Sequence, residues 1–263
     1  MIRAFHTSAS GMTTQQMVLD NTANNLANVN TTGFKRSNLD FQDLIYTTLR
    51  QPGADSVQGQ QIPTGLQIGH GVRVAGNTRN FSIGSIEQTG NALDIAVEGA
   101  GFLKVSMPDG SFRYTRDGGL RMNANGQLVT ADGFFVEPRL TIPQDATSVT
   151  VGNDGTVSVI TSGSPNTSQN VGQLLVTRFV NPAGLKAEGR NLFSESPASG
   201  TAQDVQPGQQ GTGLLRGGFL ERSNVDVVQE LVNLIQAQRA YEFNTKAIRV
   251  ADEMLSSTNE LVR

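Results

Sequence analysis

Cysteine and tryptophan are both absent from this 263-residue chain. Without cysteine no disulfide can hold the fold, and thiolate catalysis and cysteine-based metal binding are excluded. The absence suits a destination outside the cytoplasm reached without an oxidative folding step. Charge is also sparse, with charged residues at 16% and a net charge of −3. That balance gives no electrostatic reason to expect nucleic acid or an anionic membrane as partner. Lysine is rare beside arginine, 4 against 16. Arginine holds planar bidentate contacts with carboxylates, a bias that suits subunit interfaces. Apolar residues make up 37%, and no uninterrupted run approaches the ~18 residues of a membrane-spanning helix. The opening residues Met1-Ile2-Arg3-Ala4-Phe5-His6 carry neither an apolar core nor a small-residue cleavage site. Any export is therefore expected to proceed without a cleaved signal.

The chemistry-bearing residues are just as thin. His6 and His70 are the two histidines, and neither has zinc-site spacing. Gly69-His70-Gly71 and Gly99-Ala100-Gly101 lack the third glycine of a nucleotide loop, and there is no Walker lysine. They read as tight turns or points of close backbone approach. The Asp-Gly pairs lack the ligand series and closing glutamate of a calcium loop. No Gly-x-Ser-x-Gly elbow is present. Asp94 and Glu98 are candidates for a glycosidase-type carboxylate pair, though nothing around them sets them apart from surface or turn residues. No catalytic residue, metal ligand or cofactor is expected.

What the chain does have is concentrated at its ends. Phe5, Met12, Leu19 and Leu26 stand seven residues apart, and so do Val227, Leu234, Tyr241, Ile248, Leu255 and Val262. A seven-residue interval keeps a narrow stripe on one side of a helix, the geometry of helices that pack lengthwise. Residues 4 to 30 are predicted to be helical, with Gly11 as a weak point worth about 1 kcal/mol relative to alanine. From Phe219 to Arg263 there is neither glycine nor proline. Asn224 is predicted as the N-cap of the second helix, with Asp226 in its first turn. Val228 and Ile235 lie off the seam and call for further neighbours. An isolated amphipathic helix is marginal in water, so the ends are expected to fold fully only in an assembly.

The middle is turn-rich. Asp109-Gly110, Asp117-Gly118, Asn125-Gly126, Asp132-Gly133 and Asp154-Gly155 all suit hairpin turns. Short β-rich runs lie around them at 93–97, 102–105, 127–130, 148–151, 156–160 and 174–180, which predicts an antiparallel sheet, sandwich or partial barrel. Residues 51–71 and 196–213 are rich in glycine and proline and read as extended connectors. The fold class expected is mixed α and β: long terminal helices pairing as a coiled-coil-like domain (1–30 and 225–263), an extended connecting domain (31–84 and 205–224) and a central antiparallel all-β domain (85–204).

The segment from Ala23 to Lys35, with Asn24, Asn25, Leu26, Ala27, Asn28, Gly33 and Phe34, resembles the N-terminal signature of bacterial flagellar rod and hook proteins. Val97-Glu98-Gly99-Ala100-Gly101-Phe102, Tyr114-Thr115-Arg116-Asp117-Gly118 and residues 125–130 resemble the central motifs of that family. Ser223-Asn224-Val225-Asp226 and residues 234–242 resemble its C-terminal signature. Arg50-Gln51-Pro52-Gly53, leading to residues 63–69, is similar to a connector of the distal-rod branch, with the proximal-rod and hook branches as alternatives. The resemblance implies a structural axial subunit that polymerises helically into a rigid hollow shaft, transmits torque from motor to hook and encloses the export channel. The implied partners are further copies of the chain, proximal-rod proteins, the hook protein, outer-membrane and peptidoglycan ring proteins and the flagellar export apparatus. The implied location is the basal body, from periplasm to outer membrane. A secreted β-domain enzyme acting on glycan, with helical oligomerisation ends, stands as the alternative from another class.

Overall fold

A computed structural model describes residues 2–52, 55–57, 60–61, 64–164 and 167–261, without side chains at 2, 55–57, 60–61, 259 and 261. Helix α1 spans Ile2–Ala27 and helix α2 spans Val227–Leu261. At ~1.5 Å per residue α2 is about 52 Å long. Its N-cap is Asp226, whose Oδ1 accepts the backbone N–H of Val228 at 2.9 Å and of Gln229 at 3.2 Å. Asn224, predicted for that role, stands two residues too early and is used elsewhere. Helix α1 stops at Ala27, short of the predicted residue 30. Thr31 N–H turns back onto the Asn28 carbonyl at 3.1 Å, and Gly33 follows with φ +67°.

The chain forms two compact units. The first comprises Met1–Leu26, Ser37–Thr78 and Asp226–Arg263. Besides the two helices it contains strand Ser37–Asp43, paired with Val72–Arg79, and a ribbon of Tyr46–Arg50 against Leu66–Gly69. The ribbon is antiparallel, with Tyr46 opposite Gly69 and Thr47 opposite Ile68. Strands Asp55–Val57 and Gln60–Gln61 pair between its arms in the sequence. Residues 51–71 are therefore not simply an extended connector. Among the described residues, Pro52 and Gly65 stand just beyond the ends of paired strands.

The second unit comprises Ala27–Arg36 and Arg79–Val225. Its largest sheet has seven antiparallel strands, in the order Arg121–Met122, Leu128–Val129, Phe135–Glu137, Leu103–Ser106, Phe112–Thr115, Leu192–Ser194 and Lys186–Gly189. Ala146–Val151, Thr156–Thr161 and Ser168–Gln173 make a three-stranded meander. Gln203–Val205, in the predicted second connector, pairs with Val176–Arg178, so that connector too is woven into a sheet. One core gathers Ile95, Val97, Leu103, Leu120, Ile142, Val157, Leu174 and Leu215. A second is aromatic, built on Phe102, Tyr114, Phe179 and Phe193. Tyr114 meets Phe179 edge-to-face at 4.7 Å, the arrangement that the ring quadrupoles favour.

Four of the five predicted turns lie between paired or adjacent strands, and Gly110, Gly126, Gly133 and Gly155 have φ between 77° and 85°. Asp117-Gly118 is different. A Cβ on Gly118 would lie 1.6 Å from the Ile95 carbonyl oxygen, and the Gly118 carbonyl accepts the Ile95 N–H at 3.0 Å. This glycine permits backbone contact, not a turn. Gly118→Ala is therefore expected to cost the upper end of the ~1–3 kcal/mol of overpacking, or more. Gly133→Ala has open space around it and is expected to cost only the ~1–2 kcal/mol of left-handed backbone strain. Urea midpoints of the two variants check the ranking.

Candidate functional site

In the first unit the predicted seam divides by exposure. Phe5, Met12, Leu19 and Leu26 on α1 and Leu234, Ile248 and Leu255 on α2 are half-buried. Val227 and Tyr241 are exposed, at 40% and 39%. Val262 lies outside the described residues. The buried helix positions are small or polar: Thr14, Thr22 and Asn25 on α1, and Glu230, Ala237 and Ala251 on α2. The helices meet where Thr245 Oγ1 donates to Met12 Sδ at 3.5 Å. There a Cβ on Gly11 would stand 3.0 Å from Asn244 Nδ2. The predicted weak point of α1 is a point of close approach between helices.

Helix α2 has a second set of large apolar side chains that the seven-residue pattern does not describe. Val228, Leu231, Val232, Ile235, Phe243, Val250 and Met254 are all exposed. At ~100° per residue they fall within about 140° of arc, turned away from Ala237 and Ala251. Val228 is 71% and Phe243 68% exposed. Arg239, Glu242, Lys246, Arg249 and Glu253 fall within the same arc, so the helix turns toward water a mixed face on which large apolar side chains alternate with charges.

In the second unit the motif residues converge on a buried charge cluster. Lys35 and Glu221 are fully buried, with Lys35 Nζ 2.5 Å from Glu221 Oε1. The same ammonium donates to the Ser82 carbonyl at 2.7 Å. Arg116, also buried, lies 3.4 Å from Glu221 Oε2 and donates to the carbonyls of Val97 and Gly99 at 3.0 and 2.6 Å. Glu221 Oε1 accepts a further N–H from Gly84 at 2.9 Å. Burial pushes the Lys35 ammonium below the usual lysine range, Glu221 opposes that shift, and the charge of Arg116 adds to it. Burial likewise lowers Arg116. Gly33 donates its N–H to the Glu221 carbonyl at 2.9 Å, and a Cβ there would lie 2.6 Å from the Arg116–Asp117 peptide. Thr32 Oγ1 reaches Asp117 Oδ1 at 2.8 Å. Three segments far apart in sequence, around 33–35, 116–117 and 221, are thus clamped together.

The remaining predicted residues are placed as follows. Asn25 is buried and binds the backbone of Ser37. Phe34 is buried beneath the Arg79 guanidinium, 5.9 Å from its ring centroid. Asn28 accepts the Thr31 hydroxyl at 3.2 Å, while Asn24 and Ala27 are exposed. Arg50 pairs with Leu66 in the ribbon, Gln51 is exposed, and Pro52 backs Gly65, where a Cβ would come within 2.7 Å. Gly53 lies outside the described residues. Asp94 accepts from Thr89 and Asn91 at 2.5 and 2.9 Å, and Glu98 pairs with Arg216 at 3.2 Å. Both carboxylates serve local structure. Gly99 and Gly101 have φ of 135° and 133° and face Gly213 and Val176 closely. They are close-approach points, as read from the sequence.

Tyr114 gives a titration signature of the aromatic core. Burial, and then the charges of Glu195 and Asp204, push its phenol up to about 12. The folded chain therefore keeps this proton between pH ~10 and ~12 while the unfolded chain loses it. Stability is expected to fall with rising pH across that window. Tyrosinate absorbance should show a late phase that Tyr114→Phe removes.

Two helices with apolar faces, joined in one chain to a β unit clamped by buried charge, define a structural subunit built to associate. Residues 5–35 match the family described as "Flagella basal body rod protein", residues 96–159 "Flagellar hook protein FlgE/F/G D1 domain" and residues 216–261 "Flagellar basal body rod FlgEFG protein C-terminal". The flagellar basal-body rod protein FlgG of Borreliella burgdorferi is 46% identical over 265 residues, with all of both chains covered. That of Caulobacter vibrioides is 44% identical over 99% of each. The flagellar hook-basal body complex protein FlhP of Bacillus subtilis is 32% identical, over 99% of this chain and all of its own. The chain belongs to the flagellar basal-body rod protein family and is a structural rod subunit of the flagellum. Among the described residues, no helix is long and apolar enough to cross a membrane.

Proposed function

We propose that the chain polymerises helically into the distal part of the rod, a rigid hollow shaft that carries torque from motor to hook and encloses the export channel. The observation that carries this reading is the set of seven large apolar side chains exposed on one side of α2, a helix already packed on its other side. A further copy of the same chain is its natural occupant, because α1 offers its own off-seam apolar residues, among them Met17, exposed at 44%. In this reading the terminal helical domain (1–30 and 225–263) lines the tube, with Phe5, Met12, Leu19, Leu26, Val227, Leu234, Tyr241, Ile248, Leu255 and Val262 as its seam. The connecting domain (31–84 and 205–224) and the central β domain (85–204) complete the wall. The signature residues Asn24, Asn25, Leu26, Ala27, Asn28, Gly33 and Phe34 fasten the end of α1. The part is structural and performs no catalysis. It meets proximal-rod proteins, the hook protein, the outer-membrane and peptidoglycan rings and the export apparatus. It takes its place in the basal body, from periplasm to outer membrane.

The connector bearing Arg50, Gln51, Pro52 and Gly53 locks neighbouring copies against sliding. Its ribbon exposes Tyr46, Leu49 and Leu66, at 50%, 55% and 50%, and Ile45 just ahead of it is 83% exposed. Electron microscopy of assembled material tests both parts. Removal of residues 46–69 should leave tubes that bend more. Straight, unchanged tubes would remove the locking role, and tubes formed without residues 1–26 would overturn the polymerisation mode.

A further inference from the structure

Asparagine followed by glycine occurs once in the chain, at Asn125-Gly126, and aspartate followed by glycine four times. Such bonds are the most open to attack from within the backbone, because glycine sets no side chain in the way of its own nitrogen. That nitrogen adds to Cγ of the preceding residue and closes a five-membered imide. From aspartate the reaction needs the neutral acid, since an ionised carboxylate is a poor electrophile, and near neutral pH aspartate is ionised. Two of the four are held further in that form. Asp109 Oδ1 accepts the Ser111 hydroxyl and N–H at 2.5 and 2.9 Å, and Asp154 accepts the Thr156 hydroxyl and N–H at 2.7 and 3.0 Å. These bonds keep both carboxyls below the usual aspartate range. In a third, Asp117 Oδ1 accepts Thr32 Oγ1 and the Gly119 N–H at 2.8 and 3.1 Å. The Asn125 amide, by contrast, needs no protonation to react, and the residue is exposed.

What restrains Asn125 is the turn around it. The attacking group, the Gly126 N–H, donates to the Asn123 carbonyl at 3.0 Å, and the Gly126 carbonyl accepts the Ile142 N–H at 2.7 Å. A Cβ on Gly126 would lie 2.2 Å from the Ile142 carbonyl oxygen, so this glycine has little room to shift. Asn123 closes the turn with its side chain, whose Oδ1 accepts the N–H of Asn125 and of Gln127, each at 2.9 Å. We propose that Asn125 is the chain's site of succinimide formation and that Asn123 is the latch that keeps the reaction slow in the folded protein. When the turn opens, the Gly126 nitrogen bonds to Asn125 Cγ, its proton passes to Nδ2, the Cγ–Nδ2 bond breaks and ammonia departs. Water then opens the imide at either carbonyl, giving aspartate or isoaspartate. Isoaspartate routes the main chain through Cβ and Cγ and so lengthens it by a carbon. The hairpin that joins Arg121–Met122 to Leu128–Val129 then no longer presents Gly126 to Ile142, a core residue 1% exposed. None of this chemistry depends on assembly into a rod.

The test incubates the full-length, unassembled chain at mildly alkaline pH, folded and in concentrated urea, and follows each Asn-Gly and Asp-Gly bond by peptide mapping with mass spectrometry. In urea Asn125 should convert ahead of all four Asp-Gly bonds. In the folded chain it should convert about ten- to hundredfold more slowly, the factor carried by one or two hydrogen bonds that must break first. Asn123→Ala should bring the folded rate towards the urea rate, while hydrogen exchange of the Val97, Leu103 and Val105 amides stays as it was. Asn123→Asp keeps the accepting oxygen and should keep the slow rate, so it carries the test if Asn123→Ala loosens the whole unit. Equal rates in the folded and urea-unfolded chain, an Asp-Gly bond that converts first, an unchanged rate in folded Asn123→Ala or a fast rate in folded Asn123→Asp each overturns the proposal and leaves the rod assignment intact.

Discussion

Glu221→Leu is expected to be among the most damaging single changes outside the cores, lowering stability by at least the ~3–5 kcal/mol typical of breaking a buried pair. The carboxylate is fully buried and faces two cations, Lys35 at 2.5 Å and Arg116 at 3.4 Å. Removing it leaves two like charges in a dry interior and orphans the Gly84 N–H. Lys35→Met should cost less, because Glu221 keeps Arg116 and Gly84. What it loses is the bridge from the N-terminal signature to the Ser82 carbonyl. The double variant should be less damaging than the two losses added, since the second change removes the charge that the first left unpaired. Urea unfolding of the two single variants and the double variant measures this coupling, and strict additivity would show that the three groups do not act as a cluster.

Phe243→Glu, or Val228→Glu with Ile235→Glu, is expected to abolish tube formation while leaving the single chain as stable as before, within the ~0.5 kcal/mol of ordinary surface substitutions. These side chains already face water, so the folded monomer loses little. In an assembly each would put a carboxylate at an apolar contact, with only the neighbouring cations Arg239 and Lys246 to offset the cost of its burial, repeated at every copy. Sedimentation and electron microscopy of the variants, beside their thermal unfolding, read the two effects separately. A variant that still polymerises would move the contact surface off this face. Limited proteolysis of the unassembled chain adds a check, because termini that resist cleavage as well as the β unit would need no neighbours.

The seven-residue spacing exposed the helical ends because a strict period survives without any knowledge of the rest of the fold. It described one side of α2 only. Phe243, Val250 and Met254 share an arc with Val228 and Ile235 but break the interval, so the opposite face was legible only once the helix was drawn. Hairpin turns at Asn125-Gly126 and Asp132-Gly133 follow from local chemistry and were readable. Gly118 carries the same dipeptide for a different purpose, and only the position of the Ile95 carbonyl distinguishes them. The charge cluster was out of reach for a related reason: Lys35, Arg116 and Glu221 are far apart, and distance along the chain hides a shared site. Asn224 looked like a helix cap because asparagine favours caps, and its pairing with Arg36 and Asn80 has no local signature at all.

Among the described residues the ribbon of Tyr46–Arg50 and Leu66–Gly69 is two strands wide, and strand margins carry peptide groups able to recruit another strand. A free copy therefore presents two competing invitations, one through helix side chains and one through strand backbone. Raising the concentration strengthens both. The yield of ordered tubes should then pass through a maximum, with disordered precipitate taking over where ribbons find each other before helices do.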